Sequence, residues 1–465
     1  MVTDTIWPPN FADATESKYI VLIQSMRAAI RSGVLDRGYR MPPVRELAWQ
    51  LGITPGTVAR AYKMAAEEGL VETAVGRGTF VSGAMVTEDV PPVPLIHPKS
   101  AEGLDFRAIR VPNSGQDTVI RRIMAGMARR ESCDMMDYPT PETDYEARDA
   151  VVGWVEPERV GRFGPEEVIL GLGAQNAVNV VLQTVLHGTT PVIMTEELAY
   201  PGWRHAARLL RAEIVGIEMD GQGIRPDRFE EALRKHGGQV LITAAEVQSP
   251  TTTRTTLARR QEIARLARKY QVQIIEDDCH CITRPDIPNY RALCPERGWY
   301  VSSLTKAVSA ALRFGFIIAP EEQAGRARQV AQSTFYGLPQ PMLDLCAELI
   351  SSGEAERFRA LSEARVLQRV KSAVNILGQW DIQWRPDVPF IWLRLPQGWR
   401  ASSFARACGD RGIRIKAADE FSLPEGRAPH AVRVGLNPNI PEAEFEAALS
   451  TMSGLLAAPP VNVDL

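Results

Sequence analysis

"SLTKAVSAALRFGF", residues 303–316, places a single lysine between two apolar segments of the sequence. Residues 299–301 precede it and residues 314–319 follow it, and both runs have the composition of short buried strands. Lys306 is therefore expected to lie away from the surface, with Arg313 as a neighbouring cation. A lysine in such a place either pairs with an acid or has its ammonium pKa lowered enough to act as an amine nucleophile. The rest of the sequence has to distinguish these alternatives.

The composition of the 465 residues is that of an ordinary globular protein, with 45% hydrophobic and 23% charged residues. This length predicts about three folding units. No apolar run is long enough to cross a membrane, and the N-terminal segment lacks the apolar stretch of a secretory signal. The six cysteines are too unevenly spaced for a disulfide framework. We therefore expect a cytoplasmic protein.

The charge is unevenly distributed along the chain. Residues 17–83 contain nine Lys and Arg against five Asp and Glu, a net charge of +4, whereas the whole chain has a net charge of −3. A basic module on an acidic body suggests a polyanionic partner for the module. The stretch "MVTEDVPPVPLIHPKS", residues 85–100, separates the two parts and carries four prolines, which exclude helix and favour an extended linker.

The first module contains the pattern of a helix-turn-helix. Apolar residues recur at helical spacing over residues 44–51, and Gly52 follows as a C-terminal cap. A second helix is predicted to begin with Thr54 as N-cap and Pro55 in its first turn. Its buried stripe is expected at Val58, Ala61, Tyr62 and Ala65. Three donors suited to phosphates and base edges would then face outward, namely Thr54, Thr57 and Arg60.

After the two helices, "LVETAVGRGTFVSG", residues 70–83, predicts two strands joined by a glycine turn, a wing with Arg77 at its tip. Residues 17–83 resemble the winged-helix DNA-binding domain of the GntR superfamily, through the ordered match of "AIRSGVLDRGYRMPPVRELAWQLGITPGTVARAY" and "EGLVETAVGRGTFV". The resemblance and the wing together imply contacts with double-stranded operator DNA from Arg45, Thr54, Thr57, Arg60, Gly76, Arg77 and Gly78. Pro55 departs from the pattern, because such domains often have an arginine there, so one DNA contact is expected to be missing or supplied elsewhere.

Beyond the linker, helical patterns alternate with apolar strands, which predicts an α/β fold with a mostly parallel sheet. Functional residues of such sheets lie at the carboxyl ends of the strands. Asp277 ends the strand "VQIIEDD", and Lys306 follows the strand at residues 299–301, so an acid and an amine are expected at neighbouring strand ends. Pyridoxal 5′-phosphate requires this pair, since a lysine binds its aldehyde and an aspartate keeps its ring nitrogen protonated.

A phosphate site is also present in the sequence. "GLGAQNAV", residues 171–178, predicts a strand-to-helix turn whose free N–H groups attract an anion. The residues at this turn are Gly173, Ala174 and Gln175. Ser303 and Arg313 flank the lysine and can add a hydroxyl and a guanidinium, and Tyr200 offers a ring face. Each of these signals is common in proteins, and only their order along one chain makes them informative.

That order resembles the fold-type I aminotransferase family over residues 103 to about 455, through "GAQ", "AYPG", "QSPTT", "IIEDD", "SLTK" and "VRVG". The resemblance implies that Lys306 forms the Schiff base with the cofactor, that Asp277 pairs with its ring nitrogen and that Tyr200 stacks on its ring. It implies a phosphate site made of Gly173, Ala174, Gln175, Ser303 and Arg313, with Tyr138 supplied by a partner subunit. Arg433 resembles the residue that binds a substrate carboxylate.

A winged helix, a linker and an aminotransferase body together resemble the MocR/GabR regulators, which use pyridoxal 5′-phosphate to sense an amino compound. The implied division is a DNA-binding domain at residues 1–84, a linker at 85–102 and a fold-type I aminotransferase-like body at 103–465. The implied protein is a homodimeric transcription regulator, rather than an enzyme, that senses an amino acid or related amine through an external aldimine at Lys306, and residual aminotransferase activity is left open. An active aminotransferase with a DNA-binding appendage remains the alternative, and a regulator that has lost its cofactor is disfavoured because Lys306, Asp277 and Arg313 are all present.

Two departures from the family pattern bear on turnover. Cys279 stands where a tyrosine usually supports the phenolic oxygen of the cofactor, and Ser249 stands where an asparagine is common. Both positions are expected to lie at the cofactor, and their change favours sensing over transamination. "CHC", residues 279–281, does not predict a metal site, because adjacent residues of a strand point to opposite faces and no second Cys/His cluster follows.

Overall fold

The computed structural model describes residues 7–9, 11, 17–31, 34–35, 39–67, 70–74, 78–81, 103–129, 136–423, 426 and 428–459. The chain divides into two compact units, Met1–Pro94 and Leu95–Leu465. Among the described residues, none of the helices combines the length and apolar character that a membrane span requires. The predicted linker, residues 85–102, lies outside the described residues.

The N-terminal unit contains the predicted helix-turn-helix. Its elements are α1 Lys18–Arg31, α2 Val44–Gln50, α3 Pro55–Glu67, β1 Val71–Ala74 and β2 Gly78–Val81. Gly52 has a φ of 61°, the left-handed conformation expected of a helix C-terminal cap, and the Thr54 side chain accepts a hydrogen bond from the Thr57 amide. The predicted stripe of α3 is buried against α1 and α2. The local signals that predicted the two helices are therefore confirmed.

The two strands after the helices form the predicted wing. β1 and β2 pair antiparallel, from Val71 opposite Val81 to Ala74 opposite Gly78. Arg40 forms an isolated bridge with Phe80, and its guanidinium lies against Gly78, where a Cβ atom would come within 3.2 Å of the Arg40 Nε atom.

The C-terminal unit alternates helices and strands. Its helices are α4 Gln116–Met127, α5 Tyr145–Trp154, α6 Pro157–Val160, α7 Ala174–Val185, α8 Pro201–Leu209, α9 Pro226–His236, α10 Leu257–Tyr270, α11 Tyr290–Leu293, α12 Glu321–Phe335, α13 Gln340–Ser351, α14 Glu354–Leu377, α15 Ala401–Gly409 and α16 Glu442–Ala457. Its strands are β3 Leu104–Asp105, β4 Val168–Leu172, β5 Val192–Glu196, β6 Glu213–Ile217, β7 Met219–Asp220, β8 Gly223–Ile224, β9 Val240–Thr243, β10 Gln273–Asp277, β11 Gly298–Ser303, β12 Phe314–Ile318, β13 Ile382–Gln383, β14 Phe390–Arg394, β15 Ile413–Arg414, β16 Lys416–Ala417 and β17 Ala431–Gly435.

The central sheet has seven strands in the order β4-β12-β11-β10-β9-β5-β6. β12 runs antiparallel to both of its neighbours, and the other pairs are parallel, so the prediction of a mostly parallel sheet is confirmed. Helices cover both faces, which explains why β5, β9, β11 and β12 are buried at every residue.

The sheet brings the predicted residues together at one end of its strands. Asp277, the last residue of β10, lies opposite Val301 of β11, and Lys306 follows three residues after the end of β11. The antiparallel pairing of β12 with β4 places Phe314 opposite Leu172, so Arg313 and Gly173 become neighbours. A smaller antiparallel sheet, β13-β14-β17-β16, carries Arg433 on β17.

Candidate functional site

Lys306 is half-buried, and its Nζ atom donates a hydrogen bond to the carbonyl of Ile109 at 2.8 Å. Burial is the largest cause that lowers the pKa of Lys306, and the charges of Arg433 and Arg110 lower it further. Arg313, the cation that the sequence predicted beside the lysine, is not among the groups with the largest effects on this pKa, and its guanidinium donates to the carbonyl of Leu172 at 2.7 Å. A lowered pKa makes more of the lysine available as the neutral amine, which is the form that attacks an aldehyde.

The residues predicted to hold a phosphate lie together beyond the end of β4. Gly173 has a φ of 81° and precedes the first turn of α7, whose amide groups have no helical partner. A Cβ atom on Gly173 would come within 2.7 Å of the Arg313 Nη2 atom, so glycine permits the arginine to approach the turn. Ser303, at the end of β11, is buried. A helix N-terminus with an adjacent guanidinium is suited to a phosphate group.

Gln175 and Tyr200 lie against α8. Gln175 donates to the carbonyl of Gly202 at 3.2 Å, while its buried Oε1 atom has no hydrogen-bond partner among the described residues. A Cβ atom on Gly202 would come within 2.1 Å of Gln175 Oε1 and 2.2 Å of the Tyr200 ring, so only glycine allows both side chains this position. The turn amides, which have no helical partner, are donors that a phosphate group can satisfy, whereas the unpartnered Gln175 oxygen needs a donor from a ligand or from water.

Asp277 fits the role of partner to a protonated ring nitrogen. Burial raises the pKa of its carboxyl group, whereas the hydrogen bond that it accepts from the Cys279 amide at 3.1 Å lowers it. An added cation at this carboxylate would favour its ionised form. Together with Lys306 and the phosphate site, Asp277 completes the set of groups that pyridoxal 5′-phosphate requires, so the residues present fit this cofactor.

The two departures from the family pattern have different surroundings. The Cys279 thiol lies 3.7 Å from His280 Nδ1, and burial raises the pKa of the thiol well above its usual value. Ser249, which the sequence predicted to lie at the cofactor, accepts a hydrogen bond from Arg433 Nη1 at 2.8 Å. The buried Cys279 thiol is therefore a weaker acid than a free thiol, and the Ser249 hydroxyl is engaged by Arg433.

Arg433 is a buried cation held from both sides. Its Nη1 atom donates to Ser249 and its Nη2 atom donates to the carbonyl of Arg107 at 2.7 Å, while the rings of Phe390 and Phe421 lie 5.3 and 4.9 Å from the guanidinium carbon. Burial lowers the pKa of Arg433 to about 10, and the nearby Glu420 opposes this shift. Its Nε atom has no hydrogen-bond partner in the described part of the chain. Arg433 can therefore offer N–H groups to a carboxylate in the plane of the guanidinium.

Tyr138, predicted to reach the phosphate of a partner subunit, is 73% exposed and stacks on Tyr336 with ring centroids 5.3 Å apart. Its role stays a prediction.

The predicted DNA-contacting residues lie on one module. Arg45, Thr54 and Arg60 are exposed, and the hydroxyls of Thr54 and Thr57 lie 2.9 Å apart. The guanidinium carbon of Arg60 lies 4.2 Å from the centre of the Tyr19 ring, so the charged end of this side chain packs on the ring. Gly78 begins β2, whereas Gly76 and Arg77 lie outside the described residues.

Sequence reasoning missed several residues of these sites. Arg40, at the base of the wing, has no signal beyond its charge. Arg110 and the Ile109 carbonyl reach the lysine from a part of the sequence without a motif, and His280, which lies in the quoted "CHC", was not assigned to the site. Phe390 and Phe421 flank Arg433 through pairings of short strands and loops that apolar patterns do not reveal.

Comparison with known protein families identifies both parts of the chain. Residues 110–452 match the family described as "Aminotransferase class I and II", and residues 18–81 match "Bacterial regulatory proteins, gntR family". The fold is similar to that of the α-aminoadipate aminotransferase LysN from Thermus thermophilus, a structure complexed with N-(5′-phosphopyridoxyl)-L-leucine. The TM-score is 0.66 at 21% identity, covering 76% of this chain and 93% of that chain.

Two curated relatives show low identity over much of their length. The uncharacterised HTH-type transcriptional regulator YdeF of Bacillus subtilis is 24% identical over 97% of this chain and 96% of its own length. The probable rhizopine catabolism regulatory protein MocR of Rhizobium meliloti is 24% identical over 73% of each chain. The similarity to YdeF therefore extends over both parts of the chain.

Proposed function

The chain belongs to the aminotransferase class I and II family and joins that body to a gntR-family DNA-binding domain, the arrangement of pyridoxal 5′-phosphate-dependent regulators of the MocR type, and we propose that Lys306 makes it a sensor of an amino compound. The observation that carries this proposal is the half-buried Lys306, whose pKa is lowered, near Asp277 at the carboxyl end of strand β10. A winged helix on the same chain would allow a change at this site to alter DNA binding.

Each residue of the site has one proposed task. When bound, pyridoxal 5′-phosphate supplies an aldehyde that amines attack and a ring that withdraws electrons. Lys306 would hold the aldehyde, Asp277 would hold the proton at the ring nitrogen, and Tyr200 would cover one face of the ring. The phosphate would be held by Gly173, Ala174, Gln175, Ser303 and Arg313.

The proposed effector carries an amine and an anionic group. Within the described part of the chain, no carboxylate forms an ion pair with the buried Arg433. The charge of Arg433 helps to lower the pKa of Lys306, so the two side chains are close enough to interact. A ligand whose carboxylate binds Arg433 would present its amine towards Lys306. The flanking rings of Phe390 and Phe421 shield this contact from water, which strengthens it.

We also propose a division of the chain into domains, a homodimer and a set of DNA contacts. The domain boundaries are residues 1–84, 85–102 and 103–465. The protein is a homodimer in which Tyr138 of one subunit reaches the phosphate site of the other, an arrangement supported by the exposure of this tyrosine. The DNA contacts are made by Arg45, Thr54, Thr57, Arg60, Gly76, Arg77 and Gly78, which support binding of an operator by two winged helices.

The regulator is proposed not to work as an aminotransferase. The usual tyrosine is replaced by Cys279, whose buried thiol has a raised pKa, and Ser249 bonds Arg433. Moving a proton during transamination requires the tuned site that these changes remove. The alternative is an active aminotransferase with a DNA-binding appendage, which the retained Lys306, Asp277 and Arg433 support.

An absorption titration of the purified protein, with amino compounds added one at a time, tests the proposal. We expect the band of the bound cofactor to move with one compound and then to stay constant, because the amine exchanges at Lys306 and no proton transfer follows. A band that decays with release of a keto product would instead establish the alternative. A protein without any cofactor band would contradict both.

Arg60→Ala is expected to weaken DNA binding by about 10- to 100-fold, the range for losing one phosphate or base contact, and to leave the cofactor band unchanged. Binding is measured by fluorescence anisotropy on DNA selected from a random library with the full-length protein. Lys371→Ala is the matched control, since it removes one exposed positive charge from the other unit. Equal DNA affinity of Arg60→Ala and the control would remove Arg60 from the DNA-contacting surface.

A further inference from the structure

Residues 104–113 form an extended segment, here called the strap, that is attached to the small sheet and its neighbours. Backbone bonds join its start to β15 and β17: the Leu104 amide donates to Gly412, the Phe106 amide donates to Arg414, and the Phe106 carbonyl accepts from Gly435. Asn439 holds the other end, because its side chain donates to the Val111 carbonyl at 2.8 Å and accepts from the Asn113 amide at 2.9 Å. The strap is therefore fixed at both ends.

Between these ends, the strap contacts both ligand-binding side chains of the site. Its Arg107 carbonyl accepts from Arg433 at 2.7 Å, and its Ile109 carbonyl accepts from Lys306 at 2.8 Å. Arg433 lies on β17 and Lys306 lies after β11, in different parts of the fold, and the same short segment accepts a hydrogen bond from each of them. A change at either side chain must alter the hydrogen bonding of the strap.

The position of the strap in the sequence gives this contact a regulatory meaning. It begins two residues after the predicted linker, residues 85–102, which joins it in sequence to the DNA-binding domain. We infer that the strap is the element that transmits the state of Lys306 and Arg433 to the linker. This inference rests on the proposed function, since it assumes that Lys306 holds the cofactor.

The direction of the effect follows from the number of N–H bonds. A free lysine amine has at least two N–H bonds and can donate to Ile109, whereas a lysine nitrogen joined to an aldehyde carbon keeps at most one. Holding the cofactor therefore weakens the bond to the Ile109 carbonyl, and release of the lysine by an incoming amine restores it. Binding of a carboxylate would draw the Arg433 guanidinium away from the Arg107 carbonyl, to which it otherwise donates a hydrogen bond.

Hydrogen exchange of the full-length protein, with pyridoxal 5′-phosphate as the probe, tests this inference. Peptides covering residues 104–113 are compared between protein loaded with the cofactor and protein stripped of it with hydroxylamine. We expect the strap amides to exchange faster in the loaded state by about 3- to 10-fold, because a segment that has lost one hydrogen bond at its carbonyls opens more readily. Cleavage after Lys99, in the proline-rich segment, by a lysine-specific protease is expected to accelerate in the same state.

Asn439→Ala removes an anchor of the strap at an exposed position outside the cofactor site. We expect this variant to keep the cofactor band and to show fast exchange in both states, so that cleavage after Lys99 no longer depends on the cofactor. Gln379→Ala, which removes an exposed bond to Ser453, is the control and should behave as wild type.

Three outcomes would overturn the inference. A cofactor band with equal exchange in the two wild-type states would overturn this inference alone, and the proposed function would stand. An Asn439→Ala protein in which cleavage after Lys99 still follows the cofactor would do the same. Absence of a cofactor band would overturn the proposed function and, with it, the transmission.

Discussion

Replacing Lys306 by alanine is expected to abolish the absorption band of the covalently held cofactor and every response of DNA binding to amino compounds. The reason is chemical, since no other amine is found among the described groups that surround this position: Cys279, Asp277, Arg110 and Arg433 cannot form the same bond with an aldehyde. The noncovalent contacts of the phosphate site remain, so the cofactor is expected to bind weakly and reversibly. DNA affinity without effector should stay close to that of cofactor-loaded wild type, because in both proteins the bond from Lys306 to the Ile109 carbonyl is weakened or absent.

The Lys306→Ala experiment combines the absorption spectrum with anisotropy on the selected DNA, each with and without the compound that moves the wild-type band. Lys371→Ala, an exposed lysine on α14, is the matched control and should retain both the band and the response. Survival of the effector response in Lys306→Ala would show that covalent exchange is not the signal. Loss of DNA binding in the absence of effector would show that Lys306 has a structural role.

The fold could be predicted where several local signals agree. The turn at Gly52, the cap at Thr54 and the stripe from Val58 to Ala65 each favour the same two helices, and the structure contains them. The buried strands of the seven-stranded sheet are continuous apolar runs between amphipathic helices, which is the pattern of a parallel sheet. The small sheet has weaker signals, because β13 and β16 are only two residues long and are defined by their partners rather than by their own sequence.

The site could be predicted only in part. Lys306, Asp277 and Gly173 follow strands, so the rule of strand ends places them together. The strap could not be predicted, because the bond from Lys306 to Ile109 spans 197 positions of the sequence and involves a backbone carbonyl. The bond from Arg433 to Ser249 spans 184 positions, and it gives Ser249 a neighbour that the family pattern did not suggest.

The long-range contacts also explain why Arg433 and Arg110, rather than Arg313, are the cations with the largest effects on the pKa of Lys306. Arg313 is seven positions from the lysine in the sequence, but its left-handed backbone, with a φ of 50°, turns it towards Leu172 and the phosphate site. Arg433 and Arg110 come from the small sheet and the strap. Sequence distance is therefore a poor guide to charge interactions when a strand pairing and a tight turn intervene.

Replacing Arg433 by methionine is expected to weaken the affinity for a carboxylate-bearing effector by about 100-fold or more, because a charge-assisted pair in a shielded site contributes about 3 kcal/mol. Methionine keeps much of the apolar volume between Phe390 and Phe421 but offers no donor. The covalent cofactor band should persist, with Lys306 titrating at a higher pH, since Arg433 is one of the charges that lower the pKa of this lysine.

The measurement is a spectrophotometric titration with the compound that moves the wild-type band and with its uncharged amide analogue. Wild type should prefer the carboxylate by about 100-fold, and Arg433→Met should lose this preference, because the cation that pairs with the carboxylate has been removed. Arg394→Met on the neighbouring strand β14, where the arginine is exposed and paired with Asp381, is the matched control and should retain the preference. An Arg433→Met protein that still discriminates the carboxylate from the amide would move effector recognition to another cation, such as Arg110 or Lys416.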